Sequence, residues 1–348
     1  MSHTARHARE IAHQWVTQEA AQLPGFAGAF FHGSIHALPD EAILPATSDV
    51  DMMVIFSDHQ PQTKPGKFIY QGIILEVSDL STEALQSPEA ILSNYQLATS
   101  FRFPSIIMDP TGLLTKLQDI VGQNFAKRHW VYQRCEDARL KLERDLQVSH
   151  VSKSLPEQVM GWLFGTGKLP HILLVAGLVN PTVRKRYVAV RDLLDAYGYL
   201  DFHQRLLSPL GCVSLSRSQA EQHLVALAAV FDATCAVIKS PFFFASDLSL
   251  LARPLAIDGS HELIEAGLHR EAMFWIAVTY SRCQLVLAQD APQIEAQFLP
   301  GYHHLLRDLG ADDTAALQQH HEETRHLLPE TWAIAEAILA ANPAIEPS

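Results

Sequence analysis

Three carboxylates and one glycine turn are the residues of this chain whose types and spacing could do chemistry. Asp49 and Asp51 stand one residue apart at the head of the apolar run Val50-Asp51-Met52-Met53-Val54-Ile55-Phe56, and Gly33-Ser34 lies upstream. In a strand, alternate side chains share a face, so the two aspartates point the same way about 6 to 7 Å apart. Glu76, embedded in Ile74-Leu75-Glu76-Val77, is the best third acid, with Asp79 as the alternative. A charge inside so apolar a strand needs a reason, and a metal is one. Such a set suits Mg²⁺, which takes oxygen ligands and shares them with substrate phosphates. Gly33 lets backbone approach a phosphate, and the Ser34 hydroxyl with nearby amides can donate to phosphate oxygens. The matching chemistry is attack of an acceptor hydroxyl on the α-phosphate of a nucleoside triphosphate, with the metal lowering the acceptor pKa and neutralising the leaving pyrophosphate.

Each feature has a plainer reading when taken singly. Asp49 after Ser48 would cap a turn, Glu76 would be an exposed strand-edge residue, and Ser34 would be a turn residue. Their order along one chain favours metal.

The elements around these residues are readable. His7 to Leu23 places Ile11, Trp15, Val16 and Ala20 on one helical face, ended near Pro24-Gly25. Ala27 to Phe31 is a strand entering Gly33-Ser34, and Pro39 and Pro45 keep the following segment irregular. Val50 to Phe56, Phe68 to Tyr70 and Ile73 to Val77 are strand-like, with turns at 60–67 and Gln71-Gly72. A helix from Ser87-Pro88 to about Ala98 and a short strand in Phe103 to Met108 complete a small mixed sheet domain. Beyond Thr111 the pattern is helical, with helices near 112–122, 124–148, 155–166, 170–178, 182–199, 217–239, 260–289, 292–309, 312–326 and 329–341. The expected fold is therefore α+β, a sheet domain over 1–112 followed by an all-helical domain over 113–348, with a frayed tail from Asn342 to Ser348.

The Gly33-Ser34 turn, the Asp49-Val50-Asp51-Met52-Met53-Val54 run and Glu76 together resemble the DNA polymerase β-like nucleotidyltransferase superfamily. Within it the chain looks most like the aminoglycoside (kanamycin-type) nucleotidyltransferases. By motif the likeness covers roughly residues 28 to 110, and beyond that only architecture. The spacer from Ser34 to Asp49 is longer than the family's and lacks the Gly or Arg that often follows the serine. The resemblance implies a polymerase-like palm, a two-metal Mg²⁺ site on Asp49, Asp51 and Glu76, and triphosphate binding by Gly33 and Ser34. It implies transfer of AMP from ATP, or of another nucleoside monophosphate, to a hydroxyl of an aminoglycoside-like small molecule. A carboxylate of the helical domain would be the general base, with Glu143 nearest the expected place. The alternatives are transfer to a protein or RNA and a catalytically silent nucleotide-binding or antitoxin-like module.

Composition narrows the partners. A net charge of -12 argues against wrapping long nucleic acids, whose affinity rests on many Lys and Arg contacts. It suits a cationic acceptor. The scattered Cys135, Cys212, Cys235 and Cys283 suggest neither zinc nor disulfides and fit a reducing cytoplasm. No signal peptide and no membrane span are expected, and a homodimer is compatible with the chain. Arg184-Lys185-Arg186 and Lys127-Arg128 read first as solvated surface and second as triphosphate contacts. His303-His304 and His320-His321 read as surface histidines. Gly165-Thr166-Gly167-Lys168 lacks phosphate-loop spacing and reads as a turn between helices. Phe242-Phe243-Phe244 and Trp275 read as core.

Overall fold

Alternation along β2 (Val50–Phe56) decides which way the N-terminal sheet faces. Val50, Met52, Val54 and Phe56 are buried on one side with Leu75 and Val77 and with Ala8, Ile11, Ala12, Trp15 and Val16 of helix α1 (Ala5–Gln18). Side chains of opposite parity face the other layer, where Ile55 and Phe30 pack with Ile91 and Leu92 of α2 (Pro88–Ser93) and with Leu114, Leu117 and Val121 of α3 (Leu113–Asn124). Full burial of one such side chain contributes about 1.5 to 3 kcal/mol.

The sheet has the order β3-β4-β2-β1-β5, with β1 at Phe26–Phe31, β3 at Gly66–Tyr70, β4 at Ile73–Ser81 and β5 at Ile106–Met108. Only β2 and β4 run parallel, and the β1–β2, β1–β5 and β3–β4 pairs are antiparallel. The β3–β4 hairpin closes through Gln71 and Gly72, both at positive φ, 47° and 83°. Positive φ at both central residues is what a two-residue turn between twisted strands requires. After β1 the chain is tied to the start of α1: Ala5 and Arg6 amides donate to Ala42 and Asp40 carbonyls at 2.8 and 3.0 Å. These are amides that a helix start otherwise leaves without partners.

The computed structural model describes residues 3–35, 38–45, 47–57, 65–85, 87–147 and 153–347. They form two compact units, Met1–Asp137 with Pro343–Ser348, and Ala138–Asn342. The division falls inside α4 (Arg128–Gln147), so the sheet's unit runs beyond the expected boundary at 112 and takes in α3. The expected frayed tail is corrected: the Glu346 amide donates to Ala126, its carbonyl accepts from Arg128, and Ile345 is buried. Backbone pairing and one apolar anchor outweigh the tendency of termini to fray.

The second unit is helical, built from α5 (Leu155–Thr166), α6 (Lys168–Ala176), α7 (Arg186–Ala196), α8 (Leu200–Leu207), α9 (Arg217–Val237), α10 (Gly259–Glu265), α11 (His269–Asp290), α12 (Pro292–Asp308) and α13 (Thr314–Ala341). Capping boxes at Ser154/Glu157 and Ser216/Gln219 start α5 and α9. Helix α11 is the buried axis of the unit, packed by α5, α9, α10 and α12. Two expectations differ in detail. The helix expected over 260–289 breaks at Gly267, whose φ of 79° is left-handed. The joint expected at Pro329 is absent, because α13 runs through it with Leu327, Leu328, Thr331 and Ile334 buried, packing that offsets the roughly 3 kcal/mol a mid-helix proline costs. Helix α8 was not foreseen. The stretches Leu155–Ala176 and Arg217–Val237 are apolar and long enough to span a membrane by composition. The first is 78% buried inside the protein, as a core helix pair is.

Candidate functional site

Register brings the three acids together. Asp51 on β2 lies directly beside Glu76 on β4 in the parallel ladder, and Asp49 stands one residue ahead of β2 with the parity of Asp51. One carboxylate oxygen from each of Asp49, Asp51 and Glu76 lies within 4.8 Å of the others. They share the face opposite α1, whereas Asp79 has the parity of Leu75 and Val77, so the alternative third acid points away.

Three carboxylates this close repel. Burial first, then the Asp49 and Glu76 charges, push the Asp51 carboxyl well above its ordinary range, and a hydrogen bond with Glu76 adds to the rise. One cation is already present. The Lys67 ammonium of β3, 6% exposed, sits 3.1 Å from Asp49 Oδ2 and also pairs with Glu76 Oε2. Lys67 is opposite Glu76 in the β3–β4 ladder, so Lys67, Glu76 and Asp51 form one row across three strands. The sequence reading missed Lys67. Pairing outward from the Gln71-Gly72 turn, Tyr70 with Ile73 and so on, would have placed it against Glu76.

Gly33 completes the floor of the cluster. Its φ is 67°, and a Cβ there would stand 2.1 Å from Asp51 Oδ2. The neighbouring His32 amide donates to the Asp51 carbonyl at 2.9 Å, which fixes β1's end against the head of β2. Ser34 follows in the turn with an exposed side chain. The His32 ring meets Ser100 Oγ at 2.6 Å. Glu143 belongs to the second unit, on α4, where Arg139 pairs with it at 3.6 Å.

Other singled-out residues find structural partners. Arg186 is buried: its Nε donates to the Val183 carbonyl at 2.8 Å, its Nη1 to Gly167 at 3.1 Å, and its guanidinium lies 4.1 Å from the Phe274 ring centre. Arg184 donates to Leu255. The solvated-surface reading of this cluster is thereby corrected for Arg186, whose charge is satisfied by carbonyls and an aromatic face. Lys168 pairs with Asp145, and Gly167 joins α5 to α6, as a turn between helices should. His320 is corrected from surface to core, stacked on Trp162 and donating to Leu309 and Gly310 carbonyls. Phe244 is core, but Phe243 is 77% exposed. The cysteines are free, and three of them are buried. No family model matches this chain, and no curated protein matches it.

Proposed function

We propose that the chain is a divalent-metal-dependent nucleotidyltransferase with a polymerase β-like palm, moving AMP from ATP, or another nucleoside monophosphate, to a hydroxyl of a small cationic acceptor such as an aminoglycoside. The observation that carries this reading is the convergence of Asp49, Asp51 and Glu76 oxygens within 4.8 Å on adjacent strands. The donor set fits Mg²⁺ in kind, being all oxygen. It also fits in charge, since among the described residues three carboxylates face one ammonium, that of Lys67, and burial, then the Asp49 and Glu76 charges, raise the Asp51 pKa.

In this reading Asp49, Asp51 and Glu76 hold the Mg²⁺. When bound, the ion supplies Lewis-acid neutralisation of phosphate charge and lowers the acceptor pKa. Gly33, bare of a side chain and close against Asp51, leaves room for a phosphate beside the acids, and Ser34 offers an exposed hydroxyl donor. Asp51 and Glu76, rigid on the two parallel central strands, preserve the positions of the ligand oxygens with little reorganisation. The acidic surface, net -12, favours a cationic acceptor over a polyanion.

A second reading, a nucleotide-binding module without turnover, draws on Lys67, which already pairs with two of the three acids. Pyrophosphate separates the two. A transferase releases it from ATP with Mg²⁺ and an acceptor and loses this in Asp51→Asn. A module raises its melting temperature with ATP and releases none.

A further inference from the structure

Lys67 is placed where a cation belongs. It reaches the acids from the edge strand β3, is 94% enclosed, and its ammonium contacts Asp49 Oδ2 and Glu76 Oε2, oxygens of two of the three residues proposed as metal ligands. A buried lysine in that position is a fixed positive charge carried by the fold, held in register by the Lys67–Glu76 and Glu76–Asp51 strand pairings. We infer that Lys67 is the resident second cation of the site, so that the centre takes one divalent ion, where the family resemblance implies two. This rests on the metal-binding reading given under Proposed function.

Charge and available ligand oxygens both oppose a second ion. With all three carboxylates ionised, as metal ligands must be, they and the Lys67 ammonium leave two negative charges among the described residues, which a single divalent ion neutralises. A second divalent ion would leave a doubly positive centre inside the protein, and it would compete with the ammonium for the carboxylates of Asp49 and Glu76. Both requirements oppose it. Lys67 would then do part of what the second ion does elsewhere: hold Asp49 and Glu76 at fixed spacing and keep positive charge beside the phosphates. It is a positioning residue, acting through the two acids.

The test counts ions on the full chain by titrating Mn²⁺ and measuring the free aquo ion by electron paramagnetic resonance. Melting curves are recorded on the same samples. The wild type is expected to bind one Mn²⁺, Lys67→Arg one, and Lys67→Met two. The melting temperature of Lys67→Met should also rise more with Mn²⁺ than that of the wild type, because Mn²⁺ replaces the missing charge. Two ions on the wild type overturn the inference and leave the metal reading standing. One ion on Lys67→Met with wild-type affinity and wild-type thermal response also overturns it. No Mn²⁺ on the wild type overturns the metal reading and the inference with it. If Lys67→Met does not fold, the wild-type and Lys67→Arg counts still decide.

Discussion

Asp51 and Glu76 stand side by side in the parallel pairing of β2 and β4, where burial and the neighbouring acid charges push the Asp51 carboxyl well above its ordinary range. That pairing is unfavourable for a protein without a cation, because two acids and the nearby Asp49 lie in a partly enclosed place. Asp51→Asn keeps the shape and the hydrogen bond while removing the repulsion. The variant should therefore fold and melt, without divalent ions, at or above the wild-type temperature. Its stabilisation by Mg²⁺ should vanish, and turnover should fall by about 100-fold or more. Calorimetry with and without Mg²⁺ checks the first part and pyrophosphate release the second.

Gly33 is where backbone conformation and the acids meet. An alanine there takes a left-handed φ of 67° and sets its Cβ 2.1 Å from Asp51 Oδ2. Left-handed backbone costs a residue with a Cβ about 1 to 2 kcal/mol, and the displaced carboxylate no longer meets Glu76. Gly33→Ala should lower Mn²⁺ affinity by about 10-fold or more, as loss of a supporting contact around a metal does. Ser34→Ala, whose hydroxyl faces solvent, should leave Mn²⁺ affinity unchanged and weaken ATP binding only. Titration calorimetry with each ligand separates them.

Arg186 has the position of a phosphate anchor in the sequence and the surroundings of a structural residue in the fold. Its donors satisfy Val183 and Gly167 carbonyls beneath the Phe274 ring. Arg186→Met should cost roughly 3 kcal/mol of stability, since two buried acceptors lose their donors. ATP affinity of the folded fraction should not change. Urea denaturation and nucleotide titration make the comparison, and a loss of affinity at unchanged stability would contradict the assignment.

Acid should weaken the helical unit. Burial lowers the pKa of His203 to about 4, and burial with the adjacent Arg186 charge holds His171 well below its usual value. Both rings bond backbone carbonyls, Tyr187 at 3.1 Å and Thr182 at 3.0 Å. A group whose folded pKa is depressed contributes stability that is present above its unfolded pKa, about 6.5 for histidine. That stability is lost as pH falls from there toward the folded value. The urea midpoint should drop between pH 7 and pH 5, and the drop should shrink in His171→Gln and His203→Gln. Equal midpoints at the two pH values would contradict this.

The carboxylate pair was legible because a strand has period two: once Val50–Phe56 reads as a strand, Asp49 and Asp51 must share a face. Glu76 was legible as a charge in an apolar strand. Lys67 was not, because the strand was begun at Phe68, and a lysine beside a Pro/Gly-rich turn reads as solvent-facing until its register against Glu76 is counted. Arg186 and His320 escaped for a related reason. Sequence displays a charge or an imidazole but not the Gly167, Leu309 and Gly310 carbonyls that satisfy it. Helix joints were read from Pro and Gly, which succeeds at the left-handed Gly310, misses the left-handed Gly267 inside the helix expected over 260–289, and fails where packing carries a helix across Pro329.

The central claim is nucleotidyl transfer at Asp49, Asp51 and Glu76, and its most direct measurement uses α-labelled nucleoside triphosphates. The full chain is incubated with each of them, Mg²⁺ and a panel of hydroxyl-bearing acceptors that includes aminoglycosides, with products resolved by mass. The account predicts Mg²⁺-dependent pyrophosphate and a labelled nucleotidyl adduct on an acceptor hydroxyl, both absent with Asp51→Asn. Pyrophosphate no higher than the Asp51→Asn background with every triphosphate and acceptor, or an adduct formed equally by that variant, would contradict it.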